Sequence, residues 1–232
     1  MTFLGQNLAE NRKIPDTVTS LESGALGVFD KCSALESISL PSNLTLIGSN
    51  CFKECENLTS IVIPEKVNII YGSSFYKCTN LKKLTIGKSV TNIYSKAFAE
   101  CKNLESVVSL AENPPTANSD AFENSYIEYA TLYVLENSIS NYNSKEPWSK
   151  FGQIMVMKVG DASGDGKVDM NDALFILNFL LGNLSANFNA AAADTNGDGV
   201  VDIADAVHIV NYITGKITSL APQTETSPQA PQ

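Results

Sequence analysis

The chain has 232 residues, 44% of them apolar and 18% charged, and a net charge of −9, which fits a folded protein with room for one large domain or two smaller ones. So acidic a balance argues against nucleic acid or anionic membrane as a partner, because both select clustered Lys and Arg. No apolar run reaches the roughly 18 residues of a membrane span, and Met1 to Arg12 lacks the charged and apolar regions of a signal peptide.

A partial repeat opens the chain at Ile14 to Leu26, where Pro15, Val18 and Leu21 match the spacing of Pro41, Leu44 and Ile47. A strict 23-residue period follows, carried by Phe29, Phe52, Phe75 and Phe98, by Cys32, Cys55, Cys78 and Cys101, by Leu35, Leu58, Leu81 and Leu104, and by Ile47, Ile70 and Ile93. With the core Leu35-Glu-Ser-Ile38-Ser-Leu40, the period predicts a leucine-rich solenoid of short strands, each coil stacked on its neighbours. The strands should turn Ser37, Ser39, Ser60, Val62, Lys83, Thr85, Ser106 and Val108 outward, a small, polar face without an aromatic row or a carboxylate pair. Such a face suits a protein or host ligand of unknown identity, and equally a solvated sheet with only structural duty.

Four of the five cysteines recur at one repeat position. Stacked coils bring equivalent residues within disulfide reach but leave their side chains parallel, so buried free thiols filling a small apolar slot are expected in preference to disulfides. Cys51 stands where other repeats carry Ser74 and Ala97. Neither Cys-x-x-Cys nor a Cys and His cluster is present, which argues against zinc.

The wording Ala97-Phe-x-x-Cys-x-Asn-Leu104, with Ile61-x-Ile-Pro64 elsewhere, resembles the BspA-like leucine-rich repeat family of bacterial surface proteins. The resemblance implies a cap after the repeats, at about 111–157, carried by Pro114-Pro115, Phe122, Thr131 to Val134, Tyr142, Trp148 and Phe151. Leu135 stands where that family commonly has Pro.

Two copies of one loop pattern follow, with starts 33 residues apart at Asp161 and Asp194. Oxygen donors fall at loop positions 1, 3, 5, 9 and 12 in both: Asp161, Ser163, Asp165, Asp169 and Asp172, then Asp194, Asn196, Asp198, Asp202 and Asp205. Lys167 and Val200 offer backbone carbonyls at position 7, and Gly166 and Gly199 occupy the sharp turn at position 6. A hard cation takes about six to eight oxygens, so the pattern predicts two Ca2+ ions, with Asp in place of Glu at position 12. Residues 160–217 hold eight Asp and no Glu against Lys167 and Lys216, so two divalent ions would offset much of the chain's acidity.

After the first loop, Ala173, Ile176 and Leu180 form a stripe suited to a core, while Leu174, Leu177, Asn178 and Leu181 form a second, largely apolar one; Val207, Val210, Asn211 and Thr214 repeat the second stripe less strongly. The duplicated loop and helix, each ending in a glycine at Gly182 and Gly215, resembles the type I dockerin. That resemblance implies calcium held by the residues above and a cohesin partner met by Met170, Asn171, Leu174, Leu177, Asn178 and Leu181, or by Ile203, Ala204, Val207, Val210, Asn211 and Thr214. The Ser-Thr pair common at loop positions 10 and 11 of dockerins is absent here. The other use of such a stripe is packing against the solenoid cap.

A catalytic reading has little support. His208 is the single histidine, beside Val207 on the second helix, where a solvent-facing or packing role is expected, and there is no Gly-x-Ser-x-Gly elbow or phosphate loop. The tail Thr218 to Gln232, rich in Pro, Thr, Ser and Gln, is expected to be disordered or a linker. The expected organisation is a solenoid with cap at 1–157, an all-α duplicated calcium-loop-helix module at 158–217 and a tail at 218–232. The expected function is a non-catalytic extracellular or bacterial cell-surface protein, recognising or adhering through the solenoid and attached through the module to a cohesin partner in a cellulosome-like assembly. The alternatives are an adhesin whose calcium module only caps the solenoid, and an accessory part of a polysaccharide-degrading complex whose enzyme lies outside this chain.

Overall fold

The computed structural model describes residues 12–22, 27–183, 188–196 and 200–220. The chain forms two compact units, Met1–Met157 and Lys158–Gln232.

The first unit is a solenoid of short parallel strands. In chain order these are β1 (Arg12–Lys13), β2 (Ser20–Leu21), β3 (Ile38–Ser39), β4 (Leu46–Ile47), β5 (Ser60–Val62), β6 (Ile69–Ile70), β7 (Lys83–Ile86), β8 (Asn92–Ile93), β9 (Ser106–Ser109), β10 (Thr116–Ala117), β11 (Thr131–Val134) and β12 (Gln153–Val156), with helix α1 (Ile139–Asn143) between the last two. One sheet runs β10-β8-β6-β4-β2, a second runs β12-β11-β9-β7-β5, and β1 pairs with β3. The period sets the register. Ile61, Leu84, Val107, Leu132 and Ile154 lie side by side in one sheet, and Leu21, Ile47, Ile70 and Ile93 in the other.

Between the strands the chain turns the same way each time. The N–H groups of Val18, Leu44, Val67 and Val90 donate to the carbonyls of Pro15, Pro41, Pro64 and Gly87 at 2.9 to 3.2 Å, so the partial first repeat shares the turn of the full ones. Its last residues, Ser23 to Leu26, lie outside the described residues.

The interior is a ladder. The rings of Phe29, Phe52, Phe75, Phe98 and Phe122 stack face to face with centroids 4.9 to 5.4 Å apart, close to the spacing of neighbouring strands. Trp148 and Phe151 then meet Phe122 edge-on at 68° and 77°, which ends the stack. The cysteines are free. The Sγ–H groups of Cys55, Cys78 and Cys101 donate to the carbonyls of Phe29, Phe52 and Phe75 at 3.1 to 3.3 Å, and Ser125 takes the same place one coil on, with Oγ donating to Phe98 O at 2.6 Å. Burial pushes these thiols up, that of Cys101 to about 12.

The cap is tied down by its polar atoms as well as its rings. Trp148 Nε1 donates to Pro115 O at 2.9 Å, and Tyr142 Oη donates to Ala111 O at 2.9 Å and lies 2.7 Å from Ser109 Oγ. Leu135 has φ −63°, the angle a proline ring would impose, so the turn survives the replacement. One expected outward residue is not outward. Val108 is buried, because Thr85 and the larger Tyr133 flank it in register on either side.

The second unit contains α2 (Met170–Leu180), α3 (Ala190–Ala193) and α4 (Ile203–Ile213). Asp169 and Asp202 cap α2 and α4, each in a reciprocal capping box with the Asp three residues on. Gly182 at φ +81° and Gly215 at φ +73° end them, in the left-handed conformation that lets Asn183 N reach Asn178 O and Lys216 N reach Asn211 O. The core is small: Ala162, Ala173, Ile176, Ala193, Ala206, Ile209 and Leu220. Ala173 and Ala206, like Ile176 and Ile209, are equivalent positions of the duplication. Leu180, expected in this core, is exposed; the last turn of α2 closes instead on Phe179, whose ring stacks on Phe188 with centroids 4.4 Å apart. Short helix α3, ahead of the second loop, is not foretold by the loop spacing.

Candidate metal centre and partner surface

In the first loop, Asp161, Ser163, Asp165 and Asp172 hydrogen-bond to the loop's own atoms. Asp161 Oδ1 accepts from Asp165 N at 3.0 Å and from Ser163 Oγ at 3.4 Å, and Oδ2 accepts from Gly166 N at 2.8 Å. Asp165 Oδ1 accepts from Lys167 N at 2.8 Å. Asp172 is fully buried, with Oδ1 accepting from Ser163 N at 2.9 Å and Oδ2 from Asp169 N at 2.8 Å. Gly166 has φ +86°, and a Cβ there would meet nothing within 4 Å, so conformation alone demands glycine. Gly160, just before the loop, is held by space as well, since a Cβ would lie 2.5 Å from Leu220 Cδ1 and 2.9 Å from Val168 Cγ1.

The second loop repeats the closing half. Asp205 is fully buried; Oδ1 accepts from Thr195 N at 2.8 Å and Asn196 N at 3.2 Å, and Oδ2 accepts from Asp202 N at 2.9 Å. Asp194 ends α3, and Val200 is exposed. Asp198 and Gly199 lie outside the described residues.

Among the described residues no salt bridge joins a Lys or Arg to Asp161, Asp172 or Asp205. A buried carboxylate is costly unless its charge is met, and two or three N–H bonds meet it only in part. Among the described residues no three acidic, His or Cys side chains converge as a metal cluster; the carboxylates close on loop N–H groups. Each carboxylate offers about four lone-pair sites, so these bonds leave acceptor capacity over on Asp161 and Asp172, whereas Asp205 already accepts four bonds and would exchange some of them for an ion. The donor set, all oxygen from Asp, Ser, Asn and backbone carbonyls, suits a hard divalent cation and no soft one.

The candidate partner residues divide by burial. On α2, Met170, Asn171, Leu174 and Asn178 are exposed, with Leu174 at 50%, and Leu181 just beyond the helix is more exposed still. On α4, Ile203, Ala204, Val207 and Thr214 are exposed, Val207 at 51%. Leu177, Val210 and Asn211 are half-buried, and the first two pack against the unit's core. A stripe in which the core has no part is therefore narrower than expected, because at their pitch the helices roll Leu177 and Val210 partly inward.

One feature was not read from sequence. Thr195 is fully buried at loop position 2, where the first loop has Ala162. Its hydroxyl lies 3.2 Å from Asp205 Oδ1 and 3.1 Å from His208 Nδ1. His208 occupies the position of Phe175 in the first copy, so a polar pair replaces an apolar one. Aligning the two copies residue by residue would have exposed the paired exchange.

The BspA type leucine rich repeat region profile matches residues 2–128 in six copies, and the type I dockerin profile matches residues 159–214. Both are non-catalytic module types. No curated protein matches the chain. Among solved structures it is similar to the T. pallidum leucine rich repeat protein, with 20% identity and a TM-score of 0.49 over 76% of this chain and 84% of that one. It is also similar to a leucine rich cell surface protein from Faecalibacterium prausnitzii, with 17% identity and a TM-score of 0.31 over 63% of this chain and 59% of that one. A leucine-rich repeat protein from Bacteroides ovatus shares 16% identity, with a TM-score of 0.22 over 63% of this chain and 60% of that one.

Proposed function

The chain belongs to the BspA-type leucine-rich repeat family and carries a type I dockerin domain, and from that premise we propose that it is a non-catalytic attachment protein of a bacterial cell surface or extracellular assembly. Two calcium ions occupy its loops. Asp161, Ser163, Asp165, Asp169, Asp172 and the Lys167 carbonyl hold the first; Asp194, Asn196, Asp198, Asp202, Asp205 and the Val200 carbonyl hold the second. The module docks on a cohesin-like domain of a cellulosome-type complex, and the solenoid supplies a recognition surface.

The observation that carries this reading is a matched exposure across the duplication. Met170 and Ile203, and Leu174 and Val207, are large apolar residues 33 apart in sequence, and all four are about half exposed. A module with so small a core loses by leaving them in water, which is the mark of a surface kept for a partner.

A pull-down against a panel of cohesins, in calcium and in chelator, tests it. Capture by at least one cohesin in calcium only is expected, and Leu174→Asp combined with Val207→Asp should weaken that capture by about tenfold or more while calcium binding persists. Undiminished capture by the double variant would remove the helix faces from the docking surface. No capture by any cohesin would remove the attachment reading itself.

A further inference from the structure

We infer that the solenoid carries a binding site for a neutral glycan chain, in the open cleft between Tyr126 and Tyr129 beside the last full repeat. The cleft has a volume of about 310 Å3 and is lined by Lys102, Asn103, Leu104, Glu105, Tyr126 and Tyr129. All six residues belong to the first unit, and the inference does not rest on the cohesin reading.

The two rings stand at a turn that the neighbouring backbone packs against closely. Tyr129 is 84% exposed and Tyr126 47%, although both stand on the short helical turn Ile127–Tyr129 whose Ile127 is buried. Gly152 N donates to Ile127 O at 3.0 Å, and a Cβ on Gly152 would fall 2.3 Å from Glu128 O, so the neighbouring backbone presses directly on the turn. Tyr126 itself has φ +50° and ψ 40°, a left-handed conformation that an aromatic residue rarely adopts. The other non-glycine residues at positive φ belong to series that recur with the repeat, such as Lys31, Glu54, Lys77 and Glu100; Tyr126 belongs to none. A ring that leaves about half its surface to solvent from an unfavourable backbone is a mark of a binding surface.

The polar groups select the ligand. Asn57, Asn80 and Asn103 form a ladder: Asn80 Nδ2 donates to Asn57 Oδ1 at 3.3 Å and Asn103 Nδ2 to Asn80 Oδ1 at 3.1 Å. Asn103 Nδ2 also donates to Thr79 O at 2.9 Å, which occupies both its amide hydrogens. The ladder ends there, at the cleft, so Asn103 Oδ1 remains as an acceptor for an incoming hydroxyl. The charges at the rim are already answered, Lys102 by Glu100 at 3.1 Å and Glu105 by Lys82 at 2.9 Å. A charged ligand would have to displace these partners, whereas a neutral one leaves them in place and can hydrogen-bond to their outer atoms. Flat apolar rings beside an amide and paired charges match a pyranose, whose C–H face lies on aromatic carbon while its hydroxyls reach polar atoms.

Isothermal titration of the full chain in calcium with cellohexaose, xylohexaose and mannohexaose, with hexagalacturonate as the anionic control, tests the site. At least one neutral hexasaccharide should bind, and more tightly than the anionic one. Tyr129→Ala should reduce that affinity by about tenfold with an unchanged melting temperature, as befits so exposed a residue, and Asn103→Ala should also weaken it. The inference is overturned if no neutral hexasaccharide binds, if hexagalacturonate binds as well as they do, or if Tyr129→Ala binds as the unaltered chain does.

Discussion

Removing calcium should unfold the second unit and leave the first standing. Of the eight buried apolar residues among those described in the second unit, five are alanine, and among the described residues only Ile176, Ile209 and Leu220 contribute the roughly 2 to 3 kcal/mol that a large buried aliphatic side chain supplies. A module of about sixty residues is normally stable by roughly 3 to 9 kcal/mol. At free calcium about a hundredfold above Kd, each occupied site adds about 2.7 kcal/mol, so two sites add about 5 kcal/mol, comparable with that whole margin. Without the ions, eight Asp face Lys167 and Lys216 over residues 160–217, and Asp172 and Asp205 stay fully buried. Scanning calorimetry in excess chelator should therefore show the solenoid transition alone or with a second, much lower one, and calcium should raise only the latter. A thermogram unchanged between chelator and calcium would refute the argument, because it would mean that the module holds its buried carboxylates without a cation.

Phe75→Ala, in the middle of the ring stack with neighbours at 5.1 Å on both sides, should cost the solenoid about 3 to 5 kcal/mol, read as a lower urea midpoint by circular dichroism, with calcium affinity unchanged. Thr195→Ala and His208→Phe each break one side of a partly buried hydrogen bond, whereas the two together restore the pair found in the first copy; the double variant should be more stable than the sum of the singles implies, by about 1 kcal/mol in a thermal double-mutant cycle. Burial raises the Cys101 thiol from 9.0 to about 12, so the folded chain keeps a proton that the unfolded chain releases. That stabilisation is complete below pH 9 and is lost as pH rises from about 9 toward 12. Urea midpoints of the solenoid should fall across this window, and less steeply in Cys101→Ala; an equal fall in both would disconnect the effect from that thiol.

The solenoid was legible because each coil repeats its neighbour's environment. Phe29, Cys32 and Leu35 need only a 23-residue offset to find their partners, and the offset is written in the sequence. Legibility fails where periodicity gives way to neighbours of different size. Val108 occupies the position that leaves Val62 half exposed, yet it is buried, because Tyr133 arrives from the cap strand and not from another repeat. The helical module shows the same limit. Spacing placed Ala173 and Ile176 in the core but could not fix the roll of each helix, and so put Leu180 inside and left Leu177 and Val210 wholly outside. Tyr126 and Tyr129 were invisible as a pair, since their turn packs against Gly152, in a segment about 24 residues away from Glu128.

The loops and the partner face are one device because they share residues. Asp169 is loop position 9 and also the N-cap of α2, its Oδ1 accepting from Asn171 N at 2.8 Å; Asp172 is loop position 12 and also closes the capping box on Asp169 N. Asp202 and Asp205 do the same for α4, at 2.6 Å to Ala204 N and 2.9 Å from Asp202 N. The start of each helix is therefore fixed by the carboxylates proposed as ligands, and the first residues it presents to solvent are Met170 and Ile203. An ion that draws Asp169 and Asp172 together sets the first turn of α2, and with it the direction in which Met170 and Leu174 point. Losing the ion would leave two like charges at the base of the helix held by these N–H bonds alone. Calcium dependence of docking then follows without any contact between the ion and the partner, since the ion acts on the face through the cap.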